Sequence, residues 1–95
     1  MILAQVSIAP VGESISVSKY VKVALDVFIK EKIKYETNAM ATVLETDNLE
    51  TLFNVIKKAH NAVIKAGGQR IITEIKIDDR RDKNATIKSK LKSVK

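Results

Sequence analysis

Two amphipathic helical patterns flank a short strand-forming segment in the middle of this 95-residue chain. The segment runs from Tyr35 to Thr46, is rich in residues that favour β-structure, and breaks at Asn38-Ala39-Met40. It therefore predicts two short antiparallel strands joined by a tight connection. We expect the rest of the chain to be organised around this central hairpin.

Apolar side chains alternate with other residues near both ends of the chain, which predicts two further strands, at residues 2–9 and 69–79. The residues on one face of these strands are Ile2, Ala4, Val6, Ile8, Ile71, Thr73, Ile75 and Ile77. Pro10 and Gly12 are expected to end the first strand and turn the chain, because proline lacks an amide donor and glycine permits unusual dihedral angles.

The first helical pattern covers residues 16–31, with apolar residues at three- and four-residue intervals. Ser14, Ser16 and Ser18 offer hydroxyl groups that can cap its amino end. The second pattern opens at Asp47, which stands three residues before Glu50 in an acidic variant of the capping box. Its predicted apolar face consists of Leu49, Leu52, Phe53, Ile56 and Val63, and Gly67-Gly68 is expected to end the helix.

The resulting order is strand, helix, strand, strand, helix, strand, followed by a short amphipathic helix. It predicts an α+β, ferredoxin-like βαββαβ sandwich with a four-stranded antiparallel sheet and both main helices on one face. Strand parity assigns the open face Leu3, Gln5, Ser7, Thr42, Leu44, Ile72 and Glu74. Because this mixed surface is too apolar to be left wet, we expect a homo-oligomer, either a dimer or a dimer of dimers.

The basic charge of the chain lies in its tail. Residues 1–82 carry 12 basic and 11 acidic side chains, whereas residues 83–95 carry five lysines and no acid, which accounts for most of the net charge of +6. We therefore expect a ferredoxin-like domain at 1–82 and a basic C-terminal helix or tail at 83–95. Without arginine or aromatic partners, this tail is interpreted as a solvated helix face and not as a nucleic-acid site.

Several classes of function do not fit the residues present. The chain has no cysteine, and its amino terminus lacks the pattern of a signal peptide, so we expect a cytoplasmic protein with no contact with membranes. Two arginines interrupt the acidic run Asp78-Asp79-Arg80-Arg81-Asp82, which favours ion pairs over a metal site. The lone His60 is interpreted as a partly buried, hydrogen-bonded residue. We expect no enzymatic activity and no cofactor.

The same fold also occurs in an RNA-recognition module and in an acylphosphatase-like enzyme, which are the two alternatives. An RNA-recognition module needs aromatic residues on its middle strands. The chain places Phe28 and Phe53 on helices, which leaves Tyr35 as the one candidate at such a position. An acylphosphatase-like enzyme needs an arginine in the loop after the first strand, where Pro10-Val-Gly-Glu-Ser contains none. Both alternatives therefore lack the residues that their chemistry requires.

Three longer motifs and Ala59-His-Asn-Ala-Val are similar to the small thiamine-binding, YkoF-like proteins. The motifs are Ala4-Gln-Val-Ser-Ile-Ala-Pro-Val-Gly, Tyr35-Glu-Thr-Asn-Ala-Met-Ala-Thr-Val-Leu-Glu and the specific string Ile75-Lys-Ile-Asp-Asp-Arg-Arg-Asp. The resemblance covers residues 2–83. It implies a ferredoxin-like protein that assembles as a dimer or tetramer, is not known as an enzyme, and binds thiamine or its hydroxymethylpyrimidine part.

The central hairpin gathers polar side chains that suit this implied ligand. An asparagine amide can match the donors and acceptors of an aminopyrimidine, and a thioether with a nearby carboxylate can favour a cationic thiazolium. The predicted ligand-binding residues are Ser7, Asn38, Met40 and Thr42, with Thr37 and Glu45 as secondary contacts. Two alternatives stay open. Met40 can be a gap-filling core residue and Asn38 simply a turn residue, and the whole protein can be an oligomeric interaction or regulatory module without a dedicated ligand site.

Overall fold

The computed structural model describes residues 1–12 and 17–95. Its elements follow the predicted order. They are β1 (Ile2–Pro10), α1 (Ser18–Lys30), β2 (Lys34–Thr37), β3 (Thr42–Thr46), α2 (Leu49–Lys65), β4 (Ile71–Asp79) and α3 (Ile87–Ser93). Among the described residues, no helix is long and apolar enough to cross a membrane.

The four strands form one antiparallel sheet with the order β2-β3-β1-β4. Helices α1 and α2 cover one face of this sheet, and the core lies between the helices and the sheet. It is built from Ile2, Ala4, Val6, Ile8, Tyr20, Ala24, Phe28, Leu44, Leu52, Val55, Ile56, Ala59 and Val63. The predicted ferredoxin-like α+β fold is confirmed.

The pairing register corrects the predicted open face of the sheet. Thr42 lies opposite Val6 and Leu44 lies opposite Ala4, so both side chains point towards the helices and are buried. Val43 and Glu45 take the opposite face instead. The error arose because the number of turn residues sets strand parity, and a shift of one residue moves every side chain to the other face.

Both main helices begin one or two residues later than predicted. The N-cap of α1 is Val17, whose side chain makes no capping hydrogen bond, and Ser18 lies inside the helix. The candidate caps Ser14 and Ser16 fall outside the described residues. Helix α2 is capped by Asn48 and not by Asp47, because the Asn48 side chain accepts a hydrogen bond from the Thr51 amide at 2.8 Å.

The buried stripe of α2 also differs from the prediction. Val55 and Ala59 are fully buried, whereas Leu49 and Phe53 are 38% and 48% exposed. Successive residues of an α-helix are rotated by about 100°, so Phe53 points well away from the buried Leu52. The prediction was wrong because Phe53 was assigned from its apolar character.

Gly67 and Gly68 end α2 as predicted. Gly67 adopts a left-handed conformation with φ of 120°. Its amide donates to the Ile64 carbonyl at 3.1 Å, and the Gly68 amide donates to the Val63 carbonyl at 3.2 Å. These two bonds form a Schellman motif, which satisfies the last carbonyls of the helix and turns the chain towards β4.

Helix α3 packs on the open face of its own sheet. The Glu45 carboxylate accepts a hydrogen bond from the Ile87 amide at 2.8 Å, and Lys90 pairs with Asp78 on β4. Leu3, on the open face of β1, is only 6% exposed. The C-terminal helix therefore docks within its own chain.

Candidate functional site

A difference in strand length opens a cleft beside β1. Strand β3 pairs with β1 only from Ile2 to Val6, whereas β4 pairs with β1 along its whole length to Pro10. Among the described residues, no strand lies beside residues 7–10 on the side of β3. In an antiparallel sheet, alternate residues of such an unpaired segment direct their N–H and C=O groups outward. This edge therefore offers backbone donors and acceptors.

The cleft has a volume of about 240 Å³ and lies between this edge, helix α1 and the β2–β3 hairpin. Its apolar wall comes from α1, where Val21, Ala24, Leu25 and Phe28 line the cleft. Phe28 is 1% exposed, and its ring lies 6.2 Å from that of Tyr35. None of the described residues that line the cleft carries a charge. This lining is therefore suited to an uncharged group.

Asn38 holds the hairpin turn through its side-chain carbonyl. Its Oδ1 accepts hydrogen bonds from the amides of Met40 at 2.9 Å and Ala41 at 3.0 Å, and its own amide donates to the Ala41 carbonyl at 2.9 Å. Asn38 is therefore a turn residue, as the predicted alternative has it, and its side-chain oxygen fills that role. The Nδ2 amide donates to no protein group in the described part of the chain, so it is available to a ligand.

Thr37 and Thr42 pair at the base of the hairpin, with their hydroxyl oxygens 3.0 Å apart. Thr42 is 7% exposed, so this hydroxyl pair borders the interior of the cleft. Met40 lies at the tip of the hairpin and is 87% exposed. The alternative in which Met40 fills a gap in the core is wrong, and its thioether lies at the mouth of the cleft.

Five of the six predicted ligand-binding residues line this cleft, namely Ser7, Thr37, Asn38, Met40 and Thr42. Asn38, Met40 and Thr42 do not lie along one extended strand, because residues 38–41 form a turn. Glu45 is not brought to the same place. It lies on the opposite face of the sheet, where it is 8% exposed and holds the amino end of α3.

His60 and the acidic run at residues 78–82 make structural contacts. His60 Nδ1 lies 2.7 Å from the Thr73 hydroxyl, as expected for a hydrogen-bonded histidine between helix and sheet. In the acidic run, Arg80 forms two bonds to Asp82, at 2.6 and 2.9 Å, and Arg81 bonds to Asp79 at 3.1 Å. The guanidinium of Arg80 lowers the pKa of the Asp82 carboxyl through this hydrogen bond.

The backbone edge of residues 7–10 and the apolar wall of α1 were not identified from the sequence. A signal for the backbone edge was present, because the predicted first strand is two residues longer than the second half of the hairpin. The wall residues carried no such signal. Their spacing indicated a helix face against the core, which is where most of that face does lie.

Comparisons with known proteins agree with the fold and with the predicted resemblance. A family model for thiamine-binding proteins matches residues 4–95. This chain belongs to the thiamine-binding protein family. The match confirms the resemblance inferred from the motifs and continues through the lysine-rich tail, which that resemblance did not cover.

Two curated relatives of this family member are uncharacterised UPF0045 proteins. It is 48% identical over 93 residues to the UPF0045 protein MJ1052 of Methanocaldococcus jannaschii, with 98% of this chain and 91% of that protein covered. It is 43% identical over 99 residues to the UPF0045 protein YqgV of Bacillus subtilis, with 99% and 94% covered. Both alignments therefore span almost the full length of the two chains.

Solved structures agree with the same fold. The crystal structure of MJ1052 matches this thiamine-binding family member with a TM-score of 0.89 at 48% identity, covering 98% of this chain and 94% of the other. A Thermotoga maritima protein, proposed to act in thiamine biosynthesis or salvage, matches with a TM-score of 0.83 at 17% identity, covering 99% and 98%. At that identity the second likeness shows the shared fold alone.

Proposed function

We propose that this protein binds thiamine, or its hydroxymethylpyrimidine moiety, in the cleft between α1 and the β2–β3 hairpin. It does so without catalysis, as a cytoplasmic homo-oligomer. Membership of a thiamine-binding family supports the class of ligand. The observation that carries the site is the convergence of five predicted contact residues on one cleft whose described lining residues are uncharged.

The chemistry of the cleft suits the aminopyrimidine half of thiamine. That ring is flat and presents ring nitrogens and an amino group along its edge, so it needs donors, acceptors and an apolar surface. Asn38 Nδ2 and the hydroxyls of Thr37 and Thr42 supply polar groups, and Phe28 belongs to the apolar wall. By strand parity the Ser7 side chain points away from the core face, so we expect its backbone to contact the ring.

The cationic half of thiamine is expected to lie at the mouth of the cleft. A volume of about 240 Å³ is small, since sites for drug-sized ligands usually enclose roughly 300–1,000 Å³. No carboxylate lines the described part of the cleft to neutralise a buried cation, and a buried unpaired charge is costly. The thiazolium would therefore remain in water, in contact with the polarisable Met40 thioether.

Calorimetry with two ligands and two variants tests this arrangement. Asn38→Asp keeps the oxygen that holds the turn and removes the Nδ2 donor, so the affinity for hydroxymethylpyrimidine should fall about tenfold, the equivalent of one hydrogen bond of roughly 1.4 kcal/mol. Met40→Ala should weaken thiamine binding while leaving hydroxymethylpyrimidine unchanged.

Glu45→Gln, on the opposite face of the sheet, is the matched control and should bind both ligands like the native protein. No heat with either ligand would refute the proposed function, and native affinity in both cleft variants would refute the site. A thermal-shift panel of vitamins and nucleotides that produced no stabilisation would favour the alternative, an oligomeric interaction module.

A further inference from the structure

The outer edge of β4 is long and apolar. Strand β4 has nine residues and is the terminal strand of the sheet, so its outer N–H and C=O groups pair with no strand among the described residues. Ile72, Ile75 and Ile77 are 46%, 39% and 37% exposed, although the last two lie on the face that the helices cover elsewhere. An unpaired strand of this kind is a template for another strand.

The opposite edge of the sheet is protected in the usual ways. Strand β2 has only four residues, and its open-face side chains are the charged Lys34 and Glu36. Short strands and charged side chains are the devices by which proteins block pairing at an edge. The two edges therefore differ, and β4 is the edge that can extend the sheet.

We propose that β4 pairs with β4 of a second copy of this chain, antiparallel and in a register centred on Ile75, to give a continuous eight-stranded sheet. This inference rests on the homo-oligomeric part of the proposed function and names its interface. In this register all nine residues of β4 find partners, from Ile71 opposite Asp79 of the second copy to Asp79 opposite its Ile71. The two copies are related by a two-fold axis through Ile75.

Charge complementarity selects this register. On the open face, Glu74 lies opposite Lys76 of the second copy, and the two-fold axis repeats that pair. On the helix side, Ile75 meets its own copy and Thr73 meets Ile77. Opposite charges and β-branched residues directly across a strand pair are both favourable.

The neighbouring registers are worse. Directly opposed residues of an antiparallel pair point to the same face of the sheet. If the helices of both copies are to lie on one side of the sheet, the two-fold axis must therefore pass through a residue of β4 and not between two residues. A centre at Glu74 or Lys76 places like charges directly opposite each other, which is unfavourable. A centre at Ile77 opposes Lys76 to Asp78 but pairs only five residues of the strand, and Lys90 already holds Asp78.

A cysteine scan tests the register directly, because the native chain contains no cysteine. In the proposed register Ile75→Cys lies opposite itself, at the Cα separation of about 4.5–5.5 Å found for directly opposed residues, within the range that a disulfide spans. Ile77→Cys is the matched control, with the same residue type, face and similar exposure. Its two copies would lie ~14 Å apart, four residues at about 3.4 Å each.

Under mild oxidation the Ile75→Cys variant should become a disulfide-linked dimer, and the Ile77→Cys variant should stay unlinked. Mixing Thr73→Cys with Ile77→Cys should give the mixed dimer. Equal cross-linking of the Ile75→Cys and Ile77→Cys variants, or none for Ile75→Cys in a protein that is dimeric by light scattering, would overturn the register.

Charge reversal gives an independent readout in solution. Light scattering should give at least twice the monomer mass of 10.5 kDa for the native protein. Glu74→Lys or Lys76→Glu alone should weaken the dimer at least tenfold, and the double variant should restore it. Glu36→Lys, the same change on the edge strand β2, should have no effect.

The outcomes separate the interface from the proposed function. A native protein that stays monomeric at micromolar concentration would refute both the interface and the homo-oligomer. A native dimer that Glu74→Lys and Lys76→Glu leave intact would refute the interface alone. Ligand binding is measured separately by calorimetry, so a dimer without ligand heat would refute only the ligand proposal.

Discussion

Replacing Glu45 tests whether this residue holds α3 or contacts a ligand. The structure gives it a structural contact, since its carboxylate accepts a hydrogen bond from the Ile87 amide at 2.8 Å and the residue is 8% exposed. The bond joins residues 42 positions apart in sequence. Helix α3 also covers Leu3. Losing this bond should therefore loosen the docking of the whole helix, in addition to removing one hydrogen bond.

The size of the effect follows from the burial and charge of the pair. A hydrogen bond to a charged group contributes roughly 1.5–3 kcal/mol, and a partner left buried without a bond carries a similar cost. Lys34 lies 3.9 Å from the same carboxylate, but its side chain is 59% exposed, so that ion pair adds less than about 1 kcal/mol. We expect Glu45→Ala to reduce the free energy of unfolding by about 2 kcal/mol and Glu45→Gln by about 1 kcal/mol.

Urea denaturation followed by circular dichroism measures the free energies, and hydrogen exchange of the α3 amides reports local undocking. Glu36→Ala is the matched control on the neighbouring strand, because Glu36 is exposed and has no ion pair in the described part of the chain, so the change should stay within about 0.5 kcal/mol. Native stability and native α3 exchange in Glu45→Ala would refute the structural role. Loss of thiamine binding at unchanged stability would instead support a ligand contact.

Two further predictions concern the end of α2 and the docking of α3. Gly67→Ala should lower the free energy of unfolding, measured in urea, by about 1–2 kcal/mol, because a left-handed φ of 120° strains any residue with a Cβ. A steric clash is not the cause, since the nearest atom, the Tyr20 hydroxyl at 3.7 Å, leaves room for the methyl group. An unchanged free energy of unfolding would refute this. Lys90 lowers the pKa of the Asp78 carboxyl below its ordinary value of 3.8 through their hydrogen bond, so this contribution to stability is present above that pH and is lost as pH falls through the folded pKa. Exchange of the α3 amides should rise in that acidic range, and Lys90→Met should reduce this pH dependence; an identical profile in the variant would contradict the assignment.

The order of elements could be predicted because each has a distinct hydrophobic period. The alternation in β1 and β4 and the three- and four-residue spacing in α1 and α2 were strong enough to identify the ferredoxin-like fold. Element ends were less certain, since Asp47 and Asn48 are adjacent and both are good caps. Only the backbone geometry decides that the side chain of Asn48 reaches the Thr51 amide.

The residues that line the candidate cleft were predicted in part, and the reasons differ by residue. Asn38 and Met40 were found because polar turn residues next to a thioether are visible in the sequence. Glu45 was grouped with them because it follows in the same hairpin, yet alternation along β3 sends it to the opposite face of the sheet. The wall from α1 requires knowledge of which helix packs beside the hairpin, and that is a property of the tertiary fold.

Unequal strand lengths connect the two proposals. Strands β1 and β4 have nine residues each, whereas β3 has five and β2 has four. On one side of β1 the short β3 leaves an unpaired backbone edge, which borders the proposed ligand cleft. On the other side, β4 extends as far as β1 and offers a complete outer edge to a second copy.

The two sites are separated by the body of the sheet. No residue of β4 lines the cleft, so pairing at β4 neither adds nor removes a group that contacts the ligand. Charge reversal at Glu74 should therefore change the oligomeric state without changing the affinity for hydroxymethylpyrimidine, and Asn38→Asp should do the reverse. Coupling between the two would require a shift in β1, the strand that lines the cleft and pairs with β4. It would appear as a dependence of ligand affinity on protein concentration.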